Sequence, residues 1–355
     1  MTVIVYASGL IIGIILGFLM KRSRFCITGL IRDIYFLKKP YHLAIILVII
    51  ASQAVIYYTM GHIGLIRIPS YLPPFSLLAV GVGSLLFGFG AVLANGCLSA
   101  TLIKCGDGRL IGWIILAVFI IVGYFMSAGT GRYLTRAVRS LLVVSDDLVF
   151  RRSIWTIPAW GGICAVLCFV IWQHIRTYRS SFQIPARYRG LRHVLFEKVW
   201  PIETGALMIG ILAGATYLVC EPFGRRNSFS IATPILSWLY TPFKPVEIIG
   251  GCNPFDTTIG WGSFFVLGIM IGSFLTSKIS GEFAVVKPAK GSVLKGITGS
   301  ALMGVGAIWG LGCYISNGLI GTAQLSLKSW FAAVFLVLGN WIATRIFIVP
   351  EMREK

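Results

Sequence analysis

Long apolar runs, separated by short basic connections, constrain this chain more than any other feature of its sequence. A helix of about 20 apolar residues crosses a bilayer, and nine runs near that length occur along the 355 residues. The predicted spans are Val3–Met20, His42–Met60, Leu77–Asn95, Leu110–Thr130, Ile154–Ile175, Ile202–Cys220, Trp261–Ser277, Ile297–Gly312 and Ser329–Val349. The sequence therefore predicts an all-α polytopic membrane protein with about nine transmembrane helices.

The composition excludes the other broad classes. Hydrophobic residues make up 57% of the chain and charged residues only 12%, whereas soluble proteins average about 25% charged residues. Glycine is abundant, with 41 residues, and small residues allow membrane helices to pack closely. A soluble globular protein, a disordered chain and a fibre are all disfavoured.

The net charge of +19 is spread between the apolar runs rather than gathered in one polar domain. Nucleic-acid binding is therefore not predicted, and contact with membrane lipid is. The connections after odd-numbered spans and the C-terminal region carry 21 Lys and Arg, against 10 in the N-terminus and the other connections. The positive-inside rule then places the N-terminus outside, in the periplasm of a bacterium, and the C-terminus in the cytoplasm.

One ten-residue pattern occurs twice. Gly88–Cys97 and Gly304–Cys313 both read G-x-G-A-x-x-x-x-G-C, near the ends of the third and eighth spans. A weaker pair aligns Arg22–Thr28 with Arg226–Ala232, after the first and sixth spans. The offset is five spans, an odd number, so the second copy enters the membrane from the opposite side. Inverted repeats of this kind are common in transporters, with the binding site between the copies.

This repeat sets the predicted organisation of the chain. The predicted units are a single transmembrane domain over 1–355, a first repeat over 1–130, a linker with the fifth span over 131–200, and a second, inverted repeat over 201–349. Four short apolar segments follow the markers: Ile27–Phe36, Leu98–Cys105, Ser230–Tyr240 and Tyr314–Leu327. We interpret them as short or re-entrant helices lining a cavity; the alternative is that they are amphipathic connectors on the surface.

The residues that the repeats bring together suggest an anion. None of the twelve acidic residues lies deep in a span, which disfavours a proton relay or a cation site. Cys26, Cys97 and Cys313 converge instead, with basic residues nearby. These basic residues are Arg22, Arg24, Lys104, Arg225 and Arg226. Thiols are weak donors with polarisable sulfur, so they suit a soft, sulfur-bearing anion that must bind without being trapped.

Each of these features also has a simpler interpretation. A free cysteine is often a small buried hydrophobic residue, and this is the preferred interpretation for Cys105, Cys164, Cys168, Cys220 and Cys252. The basic clusters are equally explained as orientation signals. The four histidines lack metal-ligand spacing, so the sequence predicts no metal site. It predicts no cofactor and no catalytic residue either.

At these residues the sequence resembles the YeeE/YedE family of bacterial inner-membrane proteins, and within it the YeeE-type thiosulfate transporters. The resemblance spans nearly the whole chain. The matching stretches are Arg22–Gly29, Gly88–Ser99, His193–Lys198 and Gly312–Gly318. It departs from the family at two places, because the family usually reads Gly-Gly-Cys at both markers, whereas Asn95 and Leu311 stand here at the first of these positions.

The resemblance implies thiosulfate uptake across the inner membrane for sulfur metabolism, through a narrow neck in which three cysteines relay the ion by S–H hydrogen bonds. It also implies a cytoplasmic partner, a small sulfur carrier of the TusA type. The candidate substrate-binding residues are Cys26, Cys97, Cys313, Arg24, Asn95, Gly96, Gly312, Ser316 and Asn317. Two alternatives stay open: transport of another sulfur or selenium oxyanion, and a membrane sulfurtransferase that uses a cysteine persulfide.

Overall fold

The computed structural model describes residues 2–38, 41–69, 72–146, 156–178, 200–221, 228–243 and 260–350. Helices dominate it. They are α1 (Thr2–Arg22), α2 (Ile27–Leu37), α3 (Tyr41–Ile63), α4 (Leu77–Leu93), α5 (Leu98–Gly106), α6 (Leu110–Ser127), α7 (Gly131–Arg139), α8 (Thr156–Tyr178), α9 (Ile202–Cys220), α10 (Ala232–Phe243), α11 (Trp261–Ile279), α12 (Lys290–Trp309) and α13 (Leu327–Ala343). A π-helical segment, Ser316–Gly321, lies between α12 and α13, and a π-helical turn, Thr344–Ile348, follows α13.

Eight stretches of the described chain are long and apolar enough to cross a membrane. The all-α polytopic class is thus confirmed. The predicted fifth span corresponds to α8, whose apolar part, Thr156–Phe169, is shorter than the others. The count of nine crossings stays a prediction.

All four predicted short segments contain a helix, although their ends differ from the sequence estimate. Helices α2, α5 and α10 begin at Ile27, Leu98 and Ala232. The fourth segment is π-helical over Ser316–Gly321, the central part of the predicted range. Each of the four is much shorter than a membrane span.

The helices pack in a pattern that repeats between the two parts of the chain. Helix α1 packs along α11 and α9 along α3, α4 packs against α13 and α12 against α6, and α5 contacts α11 as the π-helical segment contacts α3. Helices α4 and α12 also cross each other. The same contacts result when each element of the first part is exchanged with one of the second. The exchanged pairs are α1 with α9, α3 with α11, α4 with α12, α5 with the π-helical segment, and α6 with α13.

The α4–α12 crossing shows this exchange at atomic detail. A Cβ atom on Gly90 would lie 2.9 Å from the amide nitrogen of Met303, and one on Gly306 would lie 2.6 Å from that of Phe87. Gly90 and Gly306 occupy the same position in the two ten-residue patterns. Both glycines are therefore needed because the backbones of the two helices touch there, which is a common role of glycine between membrane helices.

Contacts between the connections divide them into two groups. In the first group, Lys21 Nζ lies 2.8 Å from Asp107 Oδ2 and 3.0 Å from Glu282 Oε2, and Trp200 N donates to Arg22 O at 3.1 Å. These residues follow the predicted first, third, seventh and fifth spans. All odd-numbered connections in this set therefore lie on one face.

The second group joins even-numbered connections. The strands β1 (Leu72–Ser76) and β2 (Val143–Asp146) form an antiparallel pair, and they follow the predicted second and fourth spans. Arg67 N donates to Glu221 Oε1 at 3.0 Å, which links the connections after the second and sixth. Helix α8 lies in the chain between β2, in the second group, and Trp200, in the first.

Candidate functional site

Two turns of the same shape precede Cys97 and Cys313. After α4, Asn95 has φ +53° and Gly96 has φ +142°; after α12, Leu311 has φ +54° and Gly312 has φ +156°. The amide of each glycine then closes the turn on the residue five positions earlier, Gly96 N on Ala91 O at 2.8 Å and Gly312 N on Ala307 O at 3.1 Å. The repeated pattern in the sequence is thus a repeated backbone conformation.

This conformation explains the two departures from the Gly-Gly-Cys motif. Glycine adopts positive φ without cost, asparagine tolerates it, and leucine is strained there because its Cβ crowds the following carbonyl. Asn95 and Leu311 therefore adopt this left-handed conformation at a conformational cost that glycine would not have, and the cost is larger for leucine. Leu311 is partly buried against Phe75 and Ala332, so packing offsets some of this strain.

The left-handed φ of Leu311 leads to a prediction in which a glycine variant is more stable than an alanine variant. We expect Leu311→Gly to be more stable than Leu311→Ala by about 1 kcal/mol, because both variants lose the same packing while only glycine relieves the left-handed strain. The measurement is thermal unfolding of the detergent-solubilised protein. As a control at ordinary helical φ, Ala332→Gly should instead be destabilising. Equal stability of the two Leu311 variants would contradict the prediction.

Each of the three cysteines stands at the start of a short helical segment. Cys26 is the N-cap residue of α2 and Cys97 that of α5. The backbone N–H groups of Thr28 and Gly29 are directed at the Cys26 sulfur, and those of Ile315 and Ser316 at the Cys313 sulfur. Helix N-termini carry unpaired N–H groups and a partial positive charge, so they favour an anion at these positions.

Hydroxyl groups accompany the two buried thiols. Cys97 Sγ lies 3.1 Å from Ser99 Oγ, and Ser316 Oγ lies 3.6 Å from Cys313 Sγ while it accepts from Cys313 N at 2.8 Å. Asn317 Nδ2 donates to Gly310 O at 2.8 Å and so holds the turn from inside the protein. Asn317 therefore stabilises the turn before Cys313, and its role in substrate binding stays a prediction.

The three thiols lie in a row. Cys26 is within electrostatic range of Cys97, and Cys97 of Cys313. Cys26 is half-buried, whereas Cys97 and Cys313 are both buried. Tyr314 is buried beside them and interacts with both Cys26 and Cys97, while its hydroxyl donates to Leu336 O at 3.0 Å. The two parts of the chain therefore bring three thiols close together, and we call this set the thiol row.

A cavity of about 720 Å³ opens toward this row from the face that carries Lys21, Asp107 and Glu282. Cys26 and Gly96 line it at the thiol end. Its charged lining residues are Lys21, Arg24, Arg32, Lys104, Arg109, Asp107 and Glu282. Cations outnumber acids there by five to two, so the cavity attracts anions.

Lys104 is the cation most closely associated with the thiols. Its Nζ donates to Asn95 O at 2.7 Å and Ala94 O at 3.3 Å, and it is within electrostatic range of Cys26 and Cys97. A Cβ atom on Gly96 would lie 3.6 Å from this Nζ. The ammonium group is therefore held over the turn that carries Cys97, at the end of the cavity.

The structure brings most of the predicted site residues together. Arg24, Cys26, Asn95 and Gly96 line the cavity, with Cys97 and Cys313 beyond it. Asn95 is exposed, and its carbonyl oxygen binds Lys104. Gly312 has no room for a side chain, because a Cβ would lie 2.5 Å from Ser316 Oγ.

Several predicted neighbours lie elsewhere. Arg22 is buried, with Nη1 donating to Ser280 Oγ at 2.9 Å, and it does not line the cavity. Cys105 is buried against Gly112, and Cys220 is buried at the end of α9. Arg225, Arg226, Cys252 and the stretch His193–Lys198 lie outside the described residues.

Several residues that the structure places at the site are not among those predicted from the sequence. Ser99 contacts the Cys97 thiol, and Tyr314 lies within electrostatic range of Cys26 and Cys97. Asp107 and Glu282 pair with Lys21 at the cavity wall. One signal was available, because a serine follows both Cys97 and Cys313 within three residues. The pairing of Lys21 with acids 86 or more positions away left no local pattern.

Comparison with known proteins points to a family of membrane transporters. The sulphur transport family matches residues 22–342. The thiosulfate transporter TsuA of Escherichia coli (strain K12) is 31% identical over 98% of this chain and 96% of its own length. TsuA of Spirochaeta thermophila is 24% identical over 94% of this chain and 96% of its own. The probable transporter YedE of E. coli (strain K12) is 26% identical over 47% of this chain and 42% of its own.

Proposed function

The chain belongs to the sulphur transport family of YeeE and YedE proteins, and we propose that it imports thiosulfate across the bacterial inner membrane. One observation carries this function. Thiols from both parts of the chain form a buried row at the end of a cavity with excess positive charge. Positive charge draws in an anion, and polarisable sulfur suits an ion whose own terminal atom is sulfur.

The path works through weak contacts. Thiosulfate is desolvated in the neck, and the S–H groups of Cys313, Cys97 and Cys26 donate to it in turn. Ser99 and Ser316 supply hydroxyl groups beside the buried thiols, and helix N-termini supply N–H groups. Each donor is weak enough to release the ion to the next, which conduction requires. Tight binding at any one thiol would slow transport.

The thiols act as donors and not as nucleophiles, so the protein is a transporter and not an enzyme. Among the described residues, no carboxylate or imidazole is hydrogen-bonded to the three cysteines. A persulfide mechanism needs an activated thiolate, and burial without such a base disfavours it. The alternative sulfurtransferase would leave a mass increase of one sulfur atom on a cysteine.

Nine crossings in two inverted repeats account for the arrangement of the elements. The proposal is supported by the reciprocal packing of Gly90 and Gly306 and by the matching turns at Asn95 and Leu311. The contacts that separate odd from even connections also favour a crossing by α8. The odd-numbered connections carry more Lys and Arg, which favours an N-terminus in the periplasm, with the C-terminus and the cavity on the cytoplasmic side.

A cavity on the cytoplasmic side also suits a receiving partner. Because cations are in excess in the cavity, an anion leaves it slowly. A carrier that removes the sulfur species from the cavity would therefore drive net uptake. A small sulfur carrier of the TusA type is the partner we propose for this step.

Growth complementation tests the proposed function. We expect this chain to restore growth on thiosulfate as sole sulfur source to a bacterium that lacks its own sulfate and thiosulfate importers. The vector alone is the control, and membrane expression is checked by immunoblot. No growth despite expression and a co-expressed TusA-type carrier would contradict thiosulfate import.

A competition assay separates thiosulfate from the other oxyanions. We expect unlabelled thiosulfate to suppress uptake of radiolabelled thiosulfate more strongly than sulfite, sulfate or selenite at equal concentration. Stronger suppression by one of these would reassign the substrate within the same path.

A further inference from the structure

The far ends of the two short segments that begin at Cys97 and Cys313 are fastened by two different polar clusters. The first, the charged anchor, consists of Asp107, Lys21, Ser273 and Ser277. Asp107 directly follows α5 and is 7% exposed. Its carboxylate accepts from Lys21 Nζ at 2.8 Å, from Ser273 Oγ at 3.2 Å and from the Ser277 hydroxyl. These donors belong to α1 and α11.

The second cluster, the neutral anchor, consists of Tyr217, Gln53 and Gln324. The Tyr217 hydroxyl accepts from Gln53 Nε2 at 2.9 Å and from Gln324 Nε2 at 3.0 Å. Gln324 follows the π-helical segment by three residues, Tyr217 lies on α9 and Gln53 on α3. All three side chains are buried.

The two anchors join equivalent elements. The charged anchor ties the end of α5 to α1 and α11, and the neutral anchor ties the end of the π-helical segment to α9 and α3. The exchange of elements described for the fold turns α5, α1 and α11 into the π-helical segment, α9 and α3, so the two anchors occupy equivalent places. Each segment therefore has a thiol before its first residue and an anchor beyond its last.

We propose that Asp107 is a positioning residue for Cys97 and that Tyr217 is the positioning residue for Cys313. This deepens the proposed function, on which its meaning for transport rests. The anchors act on the thiols through the short segments, although Lys21 and Asp107 of the charged anchor also line the cavity. A loosened anchor lets one short segment shift, which moves one thiol out of the row while the other two stay in place.

A substitution in the charged anchor has an electrostatic consequence that one in the neutral anchor lacks. Removing one partner of a buried ion pair leaves the other charge uncompensated. Lys21 is protected against this, because Glu282 Oε2 lies 3.0 Å away and 40% of the Glu282 side chain is exposed. Asp107→Asn therefore leaves Lys21 paired and loosens only the end of α5.

Thiol labelling tests the two anchors without any transport. The detergent-solubilised full chain is treated with an anionic methanethiosulfonate reagent, and modification of each cysteine is followed by mass spectrometry. We expect Asp107→Asn to raise the labelling rate of Cys97 about tenfold, since a hydrogen bond to a charged group is worth at least that factor. Labelling of Cys313 should stay at the wild-type rate.

Tyr217→Phe provides the reciprocal experiment. It removes the hydroxyl acceptor while keeping the ring that packs on Tyr57, and it should raise labelling of Cys313 and not of Cys97. Glu282→Gln is the matched control, because it breaks the exposed contact of Lys21 and leaves Asp107 in place. Should Asp107→Asn fail to fold, Ser277→Ala removes a single donor and is expected to show the same selectivity.

Equal acceleration at both cysteines would mean general loosening and would overturn the proposal, as would unchanged labelling in both variants. Selective labelling supports the anchors whatever ion the protein carries. Because the readout uses no thiosulfate, a failed complementation experiment and a failed anchor experiment are distinguishable.

Discussion

Replacing Cys97 by alanine is expected to reduce thiosulfate uptake on the order of a hundredfold, because a buried, desolvated anion that loses a donor pays the full penalty for an unmet hydrogen bond. Cys97 holds the central place in the thiol row, in range of both Cys26 and Cys313. We expect its loss to interrupt the row between Cys26 and Cys313. Initial rates of radiolabelled thiosulfate uptake into cells or proteoliposomes measure the effect.

The loss should come from the path and not from the fold. Cys97 is 2% exposed, and removing one buried sulfur atom costs about 1 kcal/mol, a typical value for a point mutation. Cys105→Ala is the matched control, since Cys105 is a buried cysteine on the same helix that packs against Gly112. It should leave uptake near the wild-type rate. Normal growth of Cys97→Ala on thiosulfate would refute the relay.

Cys97→Ser separates the donor from the sulfur. The hydroxyl keeps a hydrogen-bond donor of similar size, but it is a harder and stronger partner for the ion. We therefore expect partial uptake, between those of the alanine variant and the wild type. Full activity of the serine variant would show that the path needs a donor and not a thiol.

The sequence predicted those features that are written in periodicity and repetition. Apolar runs gave the class, and the repeated pattern gave the short helices at Cys97 and Cys313. These predictions succeed because a bilayer demands long apolar helices and because the same local turn needs the same residues twice. Gly96 and Gly312 are needed in these turns because both have positive φ. The repeated glycine in the sequence suggests this conformation, and the structure shows it.

The remaining features depend on contacts between distant residues. Lys21 meets Asp107 across 86 positions, and Gln53 meets Tyr217 across 164, so no window of sequence contains either pair. The strands β1 and β2 are short and pair between two connections. The pattern of apolar runs predicts the spans and contains no information about pairing in the connections. Asn95 is a predicted substrate-binding residue, and the structure adds a backbone role, because its carbonyl oxygen accepts a hydrogen bond from Lys104.

Neutralising Lys104 is expected to raise the KM for thiosulfate about tenfold, with a smaller change in the maximal rate. Its ammonium lies at the end of the cavity and within electrostatic range of Cys26 and Cys97. A charge at a partly buried site of low dielectric interacts far more strongly with an anion than a surface charge does. Lys104→Gln keeps a donor for the carbonyl groups of Ala94 and Asn95 and removes only the charge.

Two further substitutions assign the effect to charge. Lys104→Arg keeps the charge, so its KM should stay near the wild-type value, and the dependence of its KM on ionic strength should persist; in Lys104→Gln this dependence should weaken. Lys278→Gln is the control for loss of a cation elsewhere, because Lys278 lies over the Phe274 ring and outside the cavity. A wild-type KM for Lys104→Gln would show that the turn at Gly96, and not the ammonium group, determines affinity at this end of the path. A raised KM in both the glutamine and the arginine variants would instead indicate that lysine is needed for its shape.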